Sequence, residues 1–191
     1  DWNAPDADLR GWVALFFWGF LTHILLDCFT TYGTQIFAPF SNARVAWGTI
    51  SVADPVYTLP FLTCLLVAAR FKRTDRRRAI WNWAGIGLSS LYLALTTVNH
   101  TRVTATFHTA LEAQGIAYDR FIITPTIFNN VLWNGAVDAG DQYLLAQYSF
   151  FDEVPLSFHP VDKGLDLLRN PESDPTLVTL RWFSAGYLNA V

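Results

Sequence analysis

The sequence predicts an α-helical integral membrane protein, with about three membrane helices over residues 1–101, followed by a small α+β extramembrane domain over 102–191. Three observations lead there. Hydrophobic residues make up 52% of the 191-residue chain and charged ones only 15%, where soluble domains carry about 25%. Three apolar segments fill the first hundred residues. A short run between the second and third holds six of the chain's thirteen basic residues.

The first segment runs from Gly11 to Leu26 and continues as uncharged chain past Asp27. The second covers Pro55 to Ala69 and carries Pro60; the third is uncharged from Ala79 to Thr101. A spanning helix needs about 20 predominantly apolar residues, with a lower limit near 17. The third segment meets that length outright. The first meets it if Asp27 is tolerated at its end, and the second is short. Pro60 is acceptable in a membrane helix whose neighbours satisfy the freed carbonyl.

The basic run is Arg70-Phe71-Lys72-Arg73-Thr74-Asp75-Arg76-Arg77-Arg78. A short basic loop between apolar helices faces the cytoplasm under the positive-inside rule. Segments two and three then form a hairpin with its other ends outward. The first segment runs from inside to outside, which sets His23 and Asp27 toward the outer half. The connector Tyr32–Asp54 is outward as well, punctuated by Gly33, Pro39 and Gly48, with Phe37, Phe40 and Trp47 as interfacial anchors. Asp54-Pro55 reads as a helix N-cap followed by proline in the first helical position.

Beyond Thr101 the composition changes. Thr104–Gln114 reads as a short helix stopped by Gly115. Tyr118–Thr126 and Ala136–Phe151 read as strands, and Thr176–Leu188 as a last helix. From Arg102 onward there are five basic and ten acidic residues, an excess that suits an extracytoplasmic domain. The chain contains no methionine, even at position 1, so it is expected to be an excised piece with further elements upstream.

Several function classes are set aside. A net charge of −3 supplies no global field for nucleic acid. There is no Gly-rich phosphate loop, CxxC pair, HExxH helix or serine elbow. The two cysteines, Cys28 and Cys64, lie in or beside apolar runs and read as small buried hydrophobes.

The feature that carries chemistry is His23 with Asp27. Positions four apart on a helix project from one face, one turn apart. A carboxylate in or beside a hydrocarbon-facing segment is costly and usually has a partner and a task. Three readings stand: two ligands of a divalent-metal site, a hydrogen-bonded pair that locks helices together, and a proton relay. Zinc takes three or four protein ligands, so a metal site needs donors from elsewhere. Thr30, Thr31 and Thr34 extend the same polar stripe if the helix persists. His100 and His108 lie just beyond the third segment, and His159 reads as loop between prolines.

The run from Thr22 to Gln35, His23-Ile24-Leu25-Leu26-Asp27 and then Thr30-Thr31-Tyr32-Gly33-Thr34, resembles the signature of the bacterial membrane-bound, metal-dependent hydrolase family that includes the LexA-regulated inner-membrane hydrolases. The likeness continues through Pro39-Phe40-Ser41, Arg44, Trp47-Gly48 and Asp54-Pro55, and again in Ile122-Ile123-Thr124-Pro125-Thr126 with Trp133. It covers roughly residues 15–150. The family's upstream Pro-Asp-x-Asp and His-Arg-Gly-x-Thr-His-Ser motifs do not occur here.

The resemblance implies a multi-pass protein of the bacterial inner membrane that holds a divalent metal, zinc foremost, and hydrolyses a substrate near the outer membrane–water interface. His23 and Asp27 are the implied metal ligands. Asp54 matches a family position without a role implied by the resemblance, and is our own candidate for general base or orienting group. A lipid or lipid-linked ester is the substrate class that the location suggests. Two alternatives stand beside it. In one, the His–Asp pair is structural and the outward domain binds a partner in the cell envelope. In the other, the protein is an ion-coupled transporter, for which three helices without discontinuous repeats are a poor fit.

Overall fold

A computed structural model describes residues 8–168 and 173–189. The ends of the two expected regions, residues 1–7 and 190–191, lie outside it. The chain divides into two compact units: residues up to Asn99 together with Ile127–Asn130, and His100–Thr126 with Val131 onward.

In the first unit, α1 (Leu9–Phe29) starts at Asp8, whose carboxylate accepts the Gly11 N–H at 2.9 Å. Its apolar side chains are exposed around the helix, Phe16, Trp18 and Phe20 each by more than half, and Cys28 alone is buried. A helix apolar on every side needs an apolar solvent. At 21 residues and about 1.5 Å per residue, its length matches a hydrocarbon core of about 30 Å. The helix does not persist through the threonines: Thr30 caps it, donating N–H and Oγ1 to the Asp27 carbonyl at 3.0 and 2.7 Å.

Helix α2 (Pro55–Ala69) begins at Asp54 with proline in its first turn, as the dipeptide predicts. Helix α3 (Arg76–Ala113) starts beyond a short turn. The two meet in antiparallel sense, Asp54 and Tyr57 near Tyr92 and Cys64 near Gly85. A Cβ on Gly85 would lie 3.0 Å from that of Cys64, so glycine sets how closely these helices approach.

Two expectations need correction. About three membrane helices were expected; among the described residues one helix, α1, is long and apolar enough to cross a membrane. Helix α2 is apolar but has 15 residues. The third apolar segment and the predicted helix over Thr104–Gln114 are a single 38-residue helix, because no residue between Ala79 and Gln114 breaks it. Its end is where glycine puts it. Gly115 adopts φ +64°, Ile116 N–H bonds to Leu111 O at 3.0 Å and Gly115 N–H to Glu112 O at 3.1 Å, the paired bonds of a Schellman stop.

In the second unit, strands β1 (Arg120–Pro125), β2 (Leu132–Ala139), β3 (Gln142–Ser149) and β4 (His159–Asp162) form an antiparallel meander in sequence order. The stretch Ala136–Phe151, expected as one strand, is divided by a two-residue turn with Gly140 at φ +71°. His159, expected in a loop, opens β4. One face of the sheet packs on the C-terminal part of α3. Val103, Phe107 and Leu111, spaced four apart, are fully buried against Ile123, Trp133, Val137 and Leu144. Each such side chain contributes about 1.5–3 kcal/mol by burial. Gly135 lies beneath Phe107, where a Cβ would come within 2.1 Å of the ring.

A 3₁₀ turn (Leu165–Leu167) leads on toward α4 (Pro175–Phe183), which ends five residues earlier than expected. The segment after it is fastened to the outer sheet face. Arg120 Nη1 donates to Ala185 O at 2.6 Å and Tyr143 Oη to Gly186 O at 3.0 Å.

Candidate functional site

His23 and Asp27 come together at the C-terminal end of α1. Nε2 and Oδ2 are 3.6 Å apart, and the side chains are 72% and 41% exposed. Helical spacing alone produces this geometry, and no other element is needed to hold it. Beyond them the chain turns back on itself. Thr34 and Val45 exchange two backbone hydrogen bonds at 3.0 and 2.9 Å, and Trp47, Thr49 and Ile50 donate to the carbonyls of Cys28 and Phe29. The Tyr-Gly-Thr motif has a physical reason in this turn. Gly33 sits at φ +65°, and a Cβ there would lie 2.4 Å from the Val45 carbonyl oxygen. No side chain fits.

Asp54 is 3% exposed and fully engaged. Oδ1 accepts the N–H groups of Val56 and Tyr57 at 2.9 and 3.3 Å, and Oδ2 accepts the Tyr92 hydroxyl at 2.8 Å. A carboxylate with both oxygens bound this way organises the start of α2 and ties it to α3. Near the same helix ends two amides, Asn130 buried and Asn99 half-buried, find partners that sequence reading did not give. Asn130 Nδ2 donates to Thr49 O at 2.8 Å, and Asn99 Nδ2 donates to Asn130 Oδ1 at 2.8 Å. Asn130 is 31 residues from Asn99 and 81 from Thr49, and nothing in local sequence links them. Tyr92, a hydroxyl within an apolar helix, was the one visible signal.

Among the described residues no three His, Cys, Asp or Glu side chains gather as a metal-holding group. His23, Asp27 and Asp54 therefore do not form one. Imidazole and carboxylate are suitable donors for a divalent ion. The two of them do not close a zinc site.

The remaining histidines belong to the second unit. The His100 ring lies 5.8 Å from that of Trp133, and His108 Nδ1 is 2.9 Å from the Tyr118 hydroxyl. His159 borders an open groove of about 660 Å³ on the outer sheet face, with Ile122, Thr124, Asn134, Leu145 and Gln147. Among the described residues that line the groove, His159 is the one titratable side chain. Asp138 is engaged otherwise: it bonds to Lys163 and to Arg120 (3.3 Å). Burial pushes its pKa upward, but the hydrogen bonds and charges of Lys163 and Arg120 outweigh that and hold it below the usual carboxylate range.

No solved structure matches this chain. It is similar to the Bacillus subtilis (strain 168) protein YfhP, described as uncharacterized, with 29% identity over 132 residues. That alignment takes in 64% of this chain and 36% of YfhP, so the chain spans about a third of the length of the curated relative it matches. Residues 2–103, more than half of the sequence and the part that contains α1, the Gly33 turn and the Asp54 cap, match the family described as YdjM inner membrane protein. The chain belongs to the YdjM inner membrane protein family.

Proposed function

We propose that this chain is part of a bacterial membrane-bound, metal-dependent hydrolase, in which His23 and Asp27 supply two ligands to a divalent cation, zinc foremost, near the outer membrane–water interface. The observation that carries the reading is the 3.6 Å approach of an imidazole nitrogen to a carboxylate oxygen at the end of a membrane-length helix. A polar pair there has a task, because a carboxylate beside hydrocarbon is costly without one. The exposure of both side chains supports an open site over a structural lock, which requires the pair to be wedged between helices. The remaining donors come from outside the described residues in this reading.

A cation held at this position supplies a Lewis acid that polarises a scissile carbonyl or phosphoryl group. The chain's own residues position it. His23 and Asp27 orient each other through helical spacing, and Thr30 fixes the Asp27 backbone. Asp54 acts as a positioning residue: its carboxylate sets the start of α2 and its bond to Tyr92 holds α3. The substrate class is one presented at the bilayer surface, a lipid or lipid-linked ester.

We place loop 70–78 in the cytoplasm and the second unit outside it. The exposed apolar side chains of α2 and early α3, among them Leu59, Leu66, Leu88, Leu91 and Leu95, support embedding both in the bilayer alongside α1.

The test is metal analysis of the whole protein purified from membranes. A stoichiometric divalent metal, lost in both His23→Ala and Asp27→Ala while the melting temperature of the metal-free form is unchanged, is the expected outcome. A metal-free parent whose variants merely melt earlier overturns the proposal in favour of a structural pair.

A further inference from the structure

We propose that Ile127 and Phe128, at the tip of the β1–β2 loop, form a wedge that inserts into the headgroup–acyl boundary of the bilayer crossed by α1. The inference rests on α1 as a membrane span and is independent of any hydrolytic activity.

The two side chains are consecutive, apolar, and 68% and 62% exposed. Phe128 is held at φ +72°, a left-handed conformation that is strained for a bulky residue. The surrounding loop is firmly tied down. Phe128 N–H bonds to Ala53 O at 3.1 Å. Asn129 Nδ2 bonds to Ile127 O at 3.3 Å. Asn130 is buried and holds the Thr49 carbonyl, and Thr49 N–H in turn holds the carbonyl of Phe29, the last residue of α1, at 2.9 Å. Two hydrogen bonds thus connect the loop to the C-terminal end of α1. Since α1 has the length of the hydrocarbon core, its end lies at the membrane–water boundary.

Further apolar side chains are exposed on the segment to which the tip is tied. Val52, next to Ala53, is 61% exposed, and Trp47, 46% exposed, sets its ring edge-on to Phe29 at 4.6 Å. From Phe121 to Val137 the chain carries no Asp, Glu, Lys or Arg, so the loop itself brings no charge to be desolvated when the tip enters lipid. This is the composition of an interfacial anchor, an aromatic with aliphatic neighbours and uncharged amides at its base.

The full chain is reconstituted in vesicles of phosphatidylethanolamine and phosphatidylglycerol, with a spin label on a single introduced cysteine at Phe128 or, as a second variant, at Ile127. Cys28 and Cys64 are 2% and 4% exposed and stay in place, with the parent protein giving the background. Phe20→Cys on α1 is the acyl-chain reference and Gln142→Cys, exposed at the β2–β3 turn, the aqueous one. Labels at 127 and 128 are expected to be shielded from a water-soluble nickel relaxant and to lie about 5–10 Å below the phosphates. Labels at both positions as accessible as that at 142, with the Phe20 label shielded, overturn the wedge alone. An accessible Phe20 label overturns the spanning assignment of α1 and the wedge with it.

Discussion

Replacing Asp54 separates a positioning role from a direct one. Its Oδ1 accepts two backbone N–H groups at 2.9 and 3.3 Å at the start of α2, and losing such a cap costs about 0.5–2 kcal/mol. Its Oδ2 accepts the Tyr92 hydroxyl at 2.8 Å in a buried setting, and a hydrogen bond to a charged group is worth about 1.5–3 kcal/mol. Asp54→Ala therefore costs about 2–5 kcal/mol in all. At about 2–4 °C per kcal/mol for a chain of this size, the melting temperature falls by about 4–20 °C. Asp54→Asn behaves differently. Asparagine caps as well as aspartate, and its amide can donate to the Tyr92 oxygen, so the expected loss is below about 1 kcal/mol. A double-mutant cycle with Tyr92→Phe is expected to give a coupling of about 1–2 kcal/mol. The assay is thermal unfolding in detergent micelles followed by near-ultraviolet circular dichroism, with bound metal measured on the same samples. An Asn variant as damaged as the Ala variant, or an Ala variant that melts like the parent but loses its metal, refutes the positioning argument and makes Asp54 a ligand or base.

Other outcomes follow from the same structure. Lys163 and Arg120 hold Asp138 below its unfolded pKa of about 3.9. The stability it contributes is present above that value and is lost as pH falls through the folded one. Asp138→Asn flattens this acid dependence and, by leaving Lys163 buried without its counter-charge, costs about 3–5 kcal/mol at neutral pH; acid titration of the melting temperature checks both. Gly33→Ala forces a Cβ against the Val45 carbonyl at positive φ and costs at least about 2 kcal/mol, read as easier proteolysis of the 30–50 turn. Gly135→Ala drives a methyl into the Phe107 ring and costs about 1–3 kcal/mol of overpacking, measurable by denaturant unfolding of the same preparation.

The misreadings share a physical cause. The strand expected from Ala136 begins earlier, at Leu132, so that Asn134 and Gly135 lie inside β2. The glycine is there because Phe107, 28 residues upstream, occupies the space above it. Thr101 looks like the end of a membrane segment, but nothing after it stops a helix until Gly115, so α3 carries on into the second unit. Three apolar segments suggested three spans; among the described residues only α1 is both long and apolar enough to cross by itself, α2 having 15 residues and α3 length without the sustained apolarity.

The sequence by itself determined what depends on neighbours a few residues apart. It set the His23–Asp27 juxtaposition, because a helix brings residues four apart together whatever surrounds it. It set the Asp54-Pro55 helix start and the Gly115 stop, because caps satisfy backbone groups within one turn. Only the tertiary structure decided the bond from Tyr92 to Asp54, the tie from Asn130 to Thr49, the pairing of Asp138 with Lys163 and the clearance above Gly135. Those contacts join residues 25 to 81 positions apart. Such contacts depend on how whole elements pack, which no local spacing records.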